Sequence, residues 1–221
     1  FILKKNLQSK ISILACARKK TVAIRFPKHK VARDLLKILD NPLAAPSANI
    51  SSRLSPTCAN DVVDEFGKKI KFILDGGKCK IGLESTILDL TNKPTILRPG
   101  AISLEKIQRI LKQKVLVKTN SKVIKSPGQL KSHYHPGVPV YINRNGPKKA
   151  GAFITFGKKF KSGNNYFNLS KSGNLEQAAN NLYELMRKIK NKNFKSISVC
   201  RIPNVNLGKA INDRLKKASN K

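Results

Sequence analysis

Residues Thr86–Lys118 read TILDLTNKPTILRPGAISLEKIQRILKQKVLVK. Thr86–Leu90 and Thr95–Arg98 are short runs dominated by β-branched and apolar residues, and they read as strands. Ser103–Leu111 then places Leu104, Ile107, Ile110 and Leu111 at helical spacing, with Ser103 and Glu105 suited to a helix start. Val115–Lys118 is a further strand. Strands alternating with an amphipathic helix predict an α/β layer architecture.

The same alternation extends in both directions. Upstream, Ile11–Ala15, Thr21–Phe26 and Lys71–Leu74 read as strands, and Val31–Leu39 sets Val31, Leu35, Leu36 and Leu39 on one helical face. The chain opens Phe1-Ile2-Leu3-Lys4-Lys5, without Met and as if in mid-strand, so an N-terminal part of this domain is expected to be missing from the sequence. Downstream, Ser126-Pro127-Gly128, His135-Pro136-Gly137 and Asn145-Gly146-Pro147 crowd turn signals into 119–149, which marks a linker or a functional strap. The pattern then resumes with strand Gly151–Phe156, helix Leu175–Ile189, strand Ser196–Ile202 and basic helix Leu207–Lys217. The expected organisation is a first α/β domain over 1–118, a linker over 119–149 and a small Rossmann-like α/β domain over 150–221.

Composition narrows the function classes. No apolar run approaches the ~18 residues of a membrane span, and no signal peptide opens the chain. The 4 cysteines lie far apart with no CxxC pair, which suggests neither zinc nor a disulfide scaffold and fits a reducing cytoplasm. The net charge of +33 suits a polyanionic partner such as RNA. Enrichment in Lys, Asn and Ile throughout also reads as coding bias, with most lysines simply solvated.

Common phosphate loops are absent. Gly76-Gly77-Lys78-Cys79-Lys80-Ile81-Gly82 lacks the Ser or Thr of a Walker A loop, and no GxGxxG occurs. Several polar clusters remain. Arg25, within the apolar run Thr21–Phe26 and just before Pro27, suits a two-pronged grip on a carboxylate, or snorkels from an edge strand. Ala44-Ala45-Pro46-Ser47-Ala48-Asn49 with Ser55-Pro56 offers small residues and hydroxyls to a phosphate, or is a loop capped by Pro at a helix start. Glu84-Ser85-Thr86 opens a strand with a hydroxyl pair. Arg98 ends a strand beside Pro99-Gly100, where it meets a triphosphate or solvent. His133 and His135, with no third ligand, make a poor metal site, whereas Tyr134 in a Pro/Gly-rich strap is placed to close over a ligand.

Taken in order, Pro46-Ser47-Ala48-Asn49, Leu54-Ser55-Pro56, Asp75-Gly76-Gly77, Glu84-Ser85-Thr86, Leu97-Arg98-Pro99-Gly100, Ser126-Pro127-Gly128 and His133-Tyr134 resemble the two-domain threonylcarbamoyl-AMP synthases. Ala210-Ile211-Asn212-Asp213-Arg214-Leu215 is similar to the end of that family's second domain. The family's Thr-rich start and its Lys-Gly-Arg-Pro segment are not in this sequence. The resemblance implies an incomplete YrdC-like twisted-sheet domain, a long linker and a Rossmann-like C-terminal domain. It implies an enzyme, a nucleotidyltransferase joining L-threonine, bicarbonate and ATP into threonylcarbamoyl-adenylate with release of pyrophosphate, for tRNA modification in the cytoplasm.

By position in the family pattern, Arg25 would hold the threonine carboxylate, with Ala45 and Ser85 lining the amino-acid pocket. Thr21, Ser47, Ser55 and Arg98 would contact ATP, and Tyr134 would sit in a linker closing over the nucleotide. No protein nucleophile and no protein metal site are implied; magnesium is expected on the triphosphate. Partners are the substrates, with tRNA or tRNA-modifying proteins, and no membrane. The rival readings are a non-catalytic tRNA or double-stranded RNA-binding module, an inactive fragment of the synthase, and a related domain that uses carbamoyl phosphate. The linker and second domain speak against the last.

Overall fold

The computed structural model describes residues 1–6, 8–118, 133–160 and 162–220. Ser126-Pro127-Gly128 and the rest of the strap up to 132 lie outside the described residues. The chain divides into two compact units: Phe1–Ser47 with Ser85–Gln129, and Ala48–Glu84 with Leu130–Lys221.

The first unit is a mixed five-stranded sheet with strand order β2-β1-β3-β4-β5. Strand β1 (Ile2–Lys4) pairs antiparallel with β2 (Thr21–Ala23) and parallel with β3 (Ile87–Asp89). Strand β4 (Thr95–Arg98) pairs antiparallel with β3, and β5 (Leu116–Val117) runs parallel to β4. Helix α1 (Lys30–Ile38) follows β2; the remaining helix of this unit, Leu104–Leu111, starts where the Ser103 side chain accepts a hydrogen bond from the Lys106 amide at 3.3 Å. Leu88, Ile96, Ile107 and Val115 form the buried core of the unit. Helix α1 buries none of its residues, although its pattern is amphipathic.

The second unit gathers helix α2 (Ala59–Phe66), a 3₁₀ turn at Gly67–Lys69 and a parallel sheet. The helix Leu104–Leu111 is therefore α3 in chain order. Strands β6 (Val140–Tyr141), β7 (Ala152–Thr155), β8 (Tyr166–Asn168) and β9 (Ile197–Val199) lie in the order β6-β9-β7-β8, every pair parallel. Helix α4 (Leu175–Asn191) links β8 to β9, and α5 (Leu207–Ser219) closes the unit. All four residues of β7 are buried, as expected of a parallel strand covered on both faces. Phe153, Ile154, Leu182, Ile189, Ile197 and Ile211 have at most 1% of their surface exposed. Each such side chain contributes roughly 1.5–3 kcal/mol by leaving water. This is the Rossmann-like α/β arrangement expected of the C-terminal part. No helix among the described residues is long and apolar enough to cross a membrane.

Two expected strands are not formed. Residues 13–18 are turns, closed by hydrogen bonds from the Ala17 amide to the Leu14 carbonyl and from the Arg18 amide to the Ile13 carbonyl, each 2.9 Å, and 11–12 form no strand. Residues 71–74 run without regular structure, and Phe72 is 89% exposed. In both places the residue types suit a strand, but no neighbouring strand among the described residues supplies a ladder. β-propensity without a pairing partner fixes no strand.

Candidate functional site

In the first unit, a polar cluster forms where the starts and ends of neighbouring strands meet. Arg98, the last residue of β4, is only 4% exposed. Its guanidinium donates from Nε and Nη2 to the Ser85 carbonyl at 3.1 and 2.9 Å, and Nη2 lies 3.4 Å from Ser85 Oγ. A buried cation requires such acceptors. Next to it, Thr86 Oγ1 donates to the Ile102 carbonyl at 2.8 Å and accepts from the Ile102 amide at 3.1 Å. The Ser85-Thr86 motif is thus pinned to both sides of the Arg98-Pro99-Gly100 turn. Thr21 begins β2 opposite Lys4 and is partly buried. Arg25 lies two residues past β2 and is exposed, as are Ala45 and Ser47 in an irregular stretch.

In the second unit, Glu84 is the centre of a buried network. Ser55 Oγ donates to Glu84 Oε1 at 2.5 Å, Tyr183 Oη donates to Oε2 at 3.1 Å, and Arg214 Nε donates to Oε2 at 2.8 Å. The Arg214 side chain is fully buried and also pairs through Nη1 with Asp213 at 2.8 Å. Burial opposes its charge, but Glu84 and the nearby tyrosines and Asp213 outweigh that and hold its pKa above the ordinary value. Burial, followed by the Glu84 charge, pushes the Tyr183 phenol well above its ordinary pKa. Tyr134, 1% exposed, stacks on Tyr183 with ring centres 5.8 Å apart, and the Arg214 guanidinium lies 5.5 Å from the Tyr134 ring centre. Tyr134 holds a left-handed backbone, φ 64°, which a bulky residue keeps only when its surroundings impose it. From α4, Arg187 donates to the Leu54 and Ser55 carbonyls at 3.0 and 2.6 Å and pairs with Asp61 at 3.1 Å. Ser55 is therefore held at both its hydroxyl and its carbonyl.

Of the expected site residues, the structure joins Ser85 to Arg98 in one unit. In the other it ties Ser55 and Tyr134 into the network around Glu84. Thr21, Arg25, Ala45 and Ser47 lie at the edge or surface of the first unit. Glu84, Tyr183, Arg187 and Arg214 received no role from sequence reasoning. The available signal was Arg214 between Ile211, Leu215 and Ala218 on a buried helix face, where an arginine needs a partner. Asp75-Gly76-Gly77 is a turn in which the Gly77 amide, at φ 78°, donates to Asp75 Oδ1 at 2.7 Å. His135 Nδ1 accepts from the Gly137 amide at 3.1 Å.

Comparison with known proteins gives a consistent picture. A family model described as "Telomere recombination" matches residues 1–100, and one described as "Threonylcarbamoyl-AMP synthase, C-terminal domain" matches residues 102–220. The threonylcarbamoyl-AMP synthase of Pyrococcus abyssi is 34% identical over 217 residues, covering 90% of this chain and 64% of that protein. That of Bacillus subtilis is 34% identical over 219 residues, covering 90% and 63%. That of Schizosaccharomyces pombe is 44% identical over 142 residues, covering 60% and 35%. The chain thus spans less than two thirds of the length of these relatives. Among solved structures, P. abyssi Sua5 complexed with L-threonine superposes with a TM-score of 0.86 at 30% identity, over 99% of this chain and 69% of that one.

Proposed function

This chain belongs to the threonylcarbamoyl-AMP synthase family, and from that membership we propose that it forms threonylcarbamoyl-adenylate and pyrophosphate from L-threonine, bicarbonate and ATP. The observation that carries the reading is the similarity, over 99% of this chain, to P. abyssi Sua5 complexed with L-threonine. In this reaction the threonine amine attacks the carbon of bicarbonate, the C–N bond of a carbamate forms, and a C–O bond breaks to release water. A carbamate oxygen attacks the α-phosphorus, the new P–O bond forms, and the bond to the β-phosphate oxygen breaks to release pyrophosphate. No protein nucleophile is needed. The protein has to position two reactants and neutralise phosphate charge, which suits arginines, hydroxyls and backbone amides.

In this reading Arg25 grips the threonine carboxylate, and Ala45 and Ser85 line the amino-acid pocket. Thr21, Ser47, Ser55 and Arg98 serve the nucleotide. Tyr134 anchors the strap that closes over it. Arg98 supports the assignment because a buried guanidinium at the end of a strand is already oriented by the Ser85 carbonyl. Among the described residues no group of three or more His, Cys, Asp or Glu side chains fits a metal ion. Magnesium is expected on the triphosphate, where it would neutralise phosphate charge. The product serves tRNA modification, and the 4 free cysteines suit the reducing cytoplasm.

The test is transfer of labelled bicarbonate into an adenylate that forms only with both L-threonine and ATP. Label incorporated without threonine, or none incorporated by the purified chain, counts against the proposal for this chain. The +33 charge favours one second reading, an RNA-binding module without catalysis. That reading predicts tRNA binding with a steep salt dependence and no adenylate.

A further inference from the structure

The second unit carries a crevice that the proposed reaction does not use. Strand β8 lies on one side of β7, and the chain then returns through α4 to place β9 on the other side. The direction of winding therefore reverses between β7 and β9. Open parallel sheets bind ligands outside the carboxyl ends of the strands at such a reversal. Here the segments leaving β6, β7 and β9 line two adjoining lobes of about 550 and 430 Å³, which share Asn143 and Arg201. Both volumes fall in the roughly 300–1,000 Å³ range of small-molecule sites.

The lining has a definite chemistry. Arg201 stands at the junction of the lobes, with Lys216 in the larger and Lys159 in the smaller. Among the described residues no carboxylate lines either lobe, and none pairs with these three cations. Cys200 adds no negative charge, because burial pushes its thiol up to about 11. The larger lobe also presents Asn204 and Asn212; Asn212 Nδ2 donates to the Ile202 carbonyl at 3.2 Å and to Asn204 Oδ1 at 3.3 Å, which leaves Asn212 Oδ1 as an acceptor and Asn204 Nδ2 as a donor for a ligand. In the smaller lobe Phe156 and Phe160 supply an aromatic wall. Phe160 is held edge-on against the core residue Phe153, with ring centres 5.1 Å apart.

We infer that this crevice binds a nucleoside phosphate, either free or as one nucleotide of an RNA chain. Arg201 takes the phosphate in two parallel hydrogen bonds, with a lysine on either side adding charge. The base lies against the phenylalanine wall, and the asparagine amides meet its polar edge. A bare anion would leave the aromatic wall and the amides unused, and a purely apolar ligand would leave three cations unanswered. The inference does not depend on the proposed synthase reaction.

The experiment is amide-shift mapping by NMR on the full chain, titrated with AMP, inorganic phosphate and tRNA. AMP is expected to shift the amides of Asn143, Phe156, Cys200, Arg201, Ile202 and Asn204 saturably. Arg201→Gln is expected to weaken this by about tenfold or more, with the rest of the spectrum unchanged. Lys159→Gln serves as a second, exposed variant with an effect in the same direction. Competition between tRNA and AMP at these residues identifies an RNA nucleotide as the occupant, and AMP shifts indifferent to tRNA identify a free nucleotide. The proposal is overturned if neither ligand shifts these residues, if inorganic phosphate binds as tightly as AMP, or if Arg201→Gln leaves AMP affinity unchanged.

Discussion

Glu84 meets Ser55, Tyr183 and Arg214 with one carboxylate, which ties three distant segments of the second unit through one group. Glu84→Gln keeps the shape but removes the charge facing a fully buried guanidinium. Breaking a buried ion pair by removing one partner costs about 3–5 kcal/mol. Asp213 still pairs with Arg214, so a loss near the lower end is expected in urea unfolding of the full chain. A loss below ~1 kcal/mol would show that Asp213 alone satisfies the arginine. Tyr183 gives the network a pH signature. Its phenol is raised in the folded chain by burial and then by the Glu84 charge, whereas the unfolded chain releases that proton near 10. Its contribution is therefore complete below about pH 10 and is lost as pH rises toward the folded value. Stability curves of the wild type and Tyr183→Phe should run parallel below about pH 9 and converge or cross above about pH 10; curves parallel throughout contradict the assignment. Arg25 is exposed, and its proposed role is to grip the threonine carboxylate. Arg25→Ala is expected to raise the threonine requirement steeply while leaving ATP binding nearly intact, and equal loss of both in a titration would remove its role as the carboxylate grip.

Among the elements, α5 shows how packing reverses a local preference. Helix propensity alone makes Gly→Ala a gain of about 1 kcal/mol. At Gly208, in the first turn of α5, an added Cβ would lie 1.8 Å from the Pro203 carbonyl oxygen. Gly208→Ala is therefore expected to lower the unfolding midpoint, by about 2 kcal/mol or more in stability; a raised midpoint would show that the backbone yields there. The elements that could be read from the sequence were those whose cause is local. The apolar spacing and the Ser103 cap define α3, and the 175–189 periodicity finds α4. Residues 11–15 and 71–74 could not be read correctly, because their β-rich composition says nothing about whether a neighbouring strand exists. Strand β8 is too short at Tyr166–Asn168 for alternation to register. The site divides in the same way. Ser85, Arg98, Ser55 and Tyr134 stood out as polar residues at turns and strand ends. The roles of Tyr183 and Arg214 were not legible, because these residues lie 99 and 130 positions from Glu84 and only folding brings them to it.

For the whole molecule, the two family models together account for nearly all of the chain, and the similarity to solved relatives follows the same extent. The composition agrees with the chemistry proposed. A carbamate attacking a phosphorus needs cations and hydrogen-bond donors more than nucleophiles, and the chain has 45 Lys and Arg against 12 Asp and Glu, with 3 His. The same surplus of positive charge gives the carboxyl-edge crevice of the second unit its sign. In the proposed function the residues present here perform adenylate formation by positioning the reactants. Its most direct test is pyrophosphate release from ATP by the purified 221-residue chain, with and without L-threonine and bicarbonate. Release is expected to require both co-substrates and to be lost in Arg98→Ala. Release indifferent to threonine, or none from a chain that is folded by its amide spectrum, would contradict it.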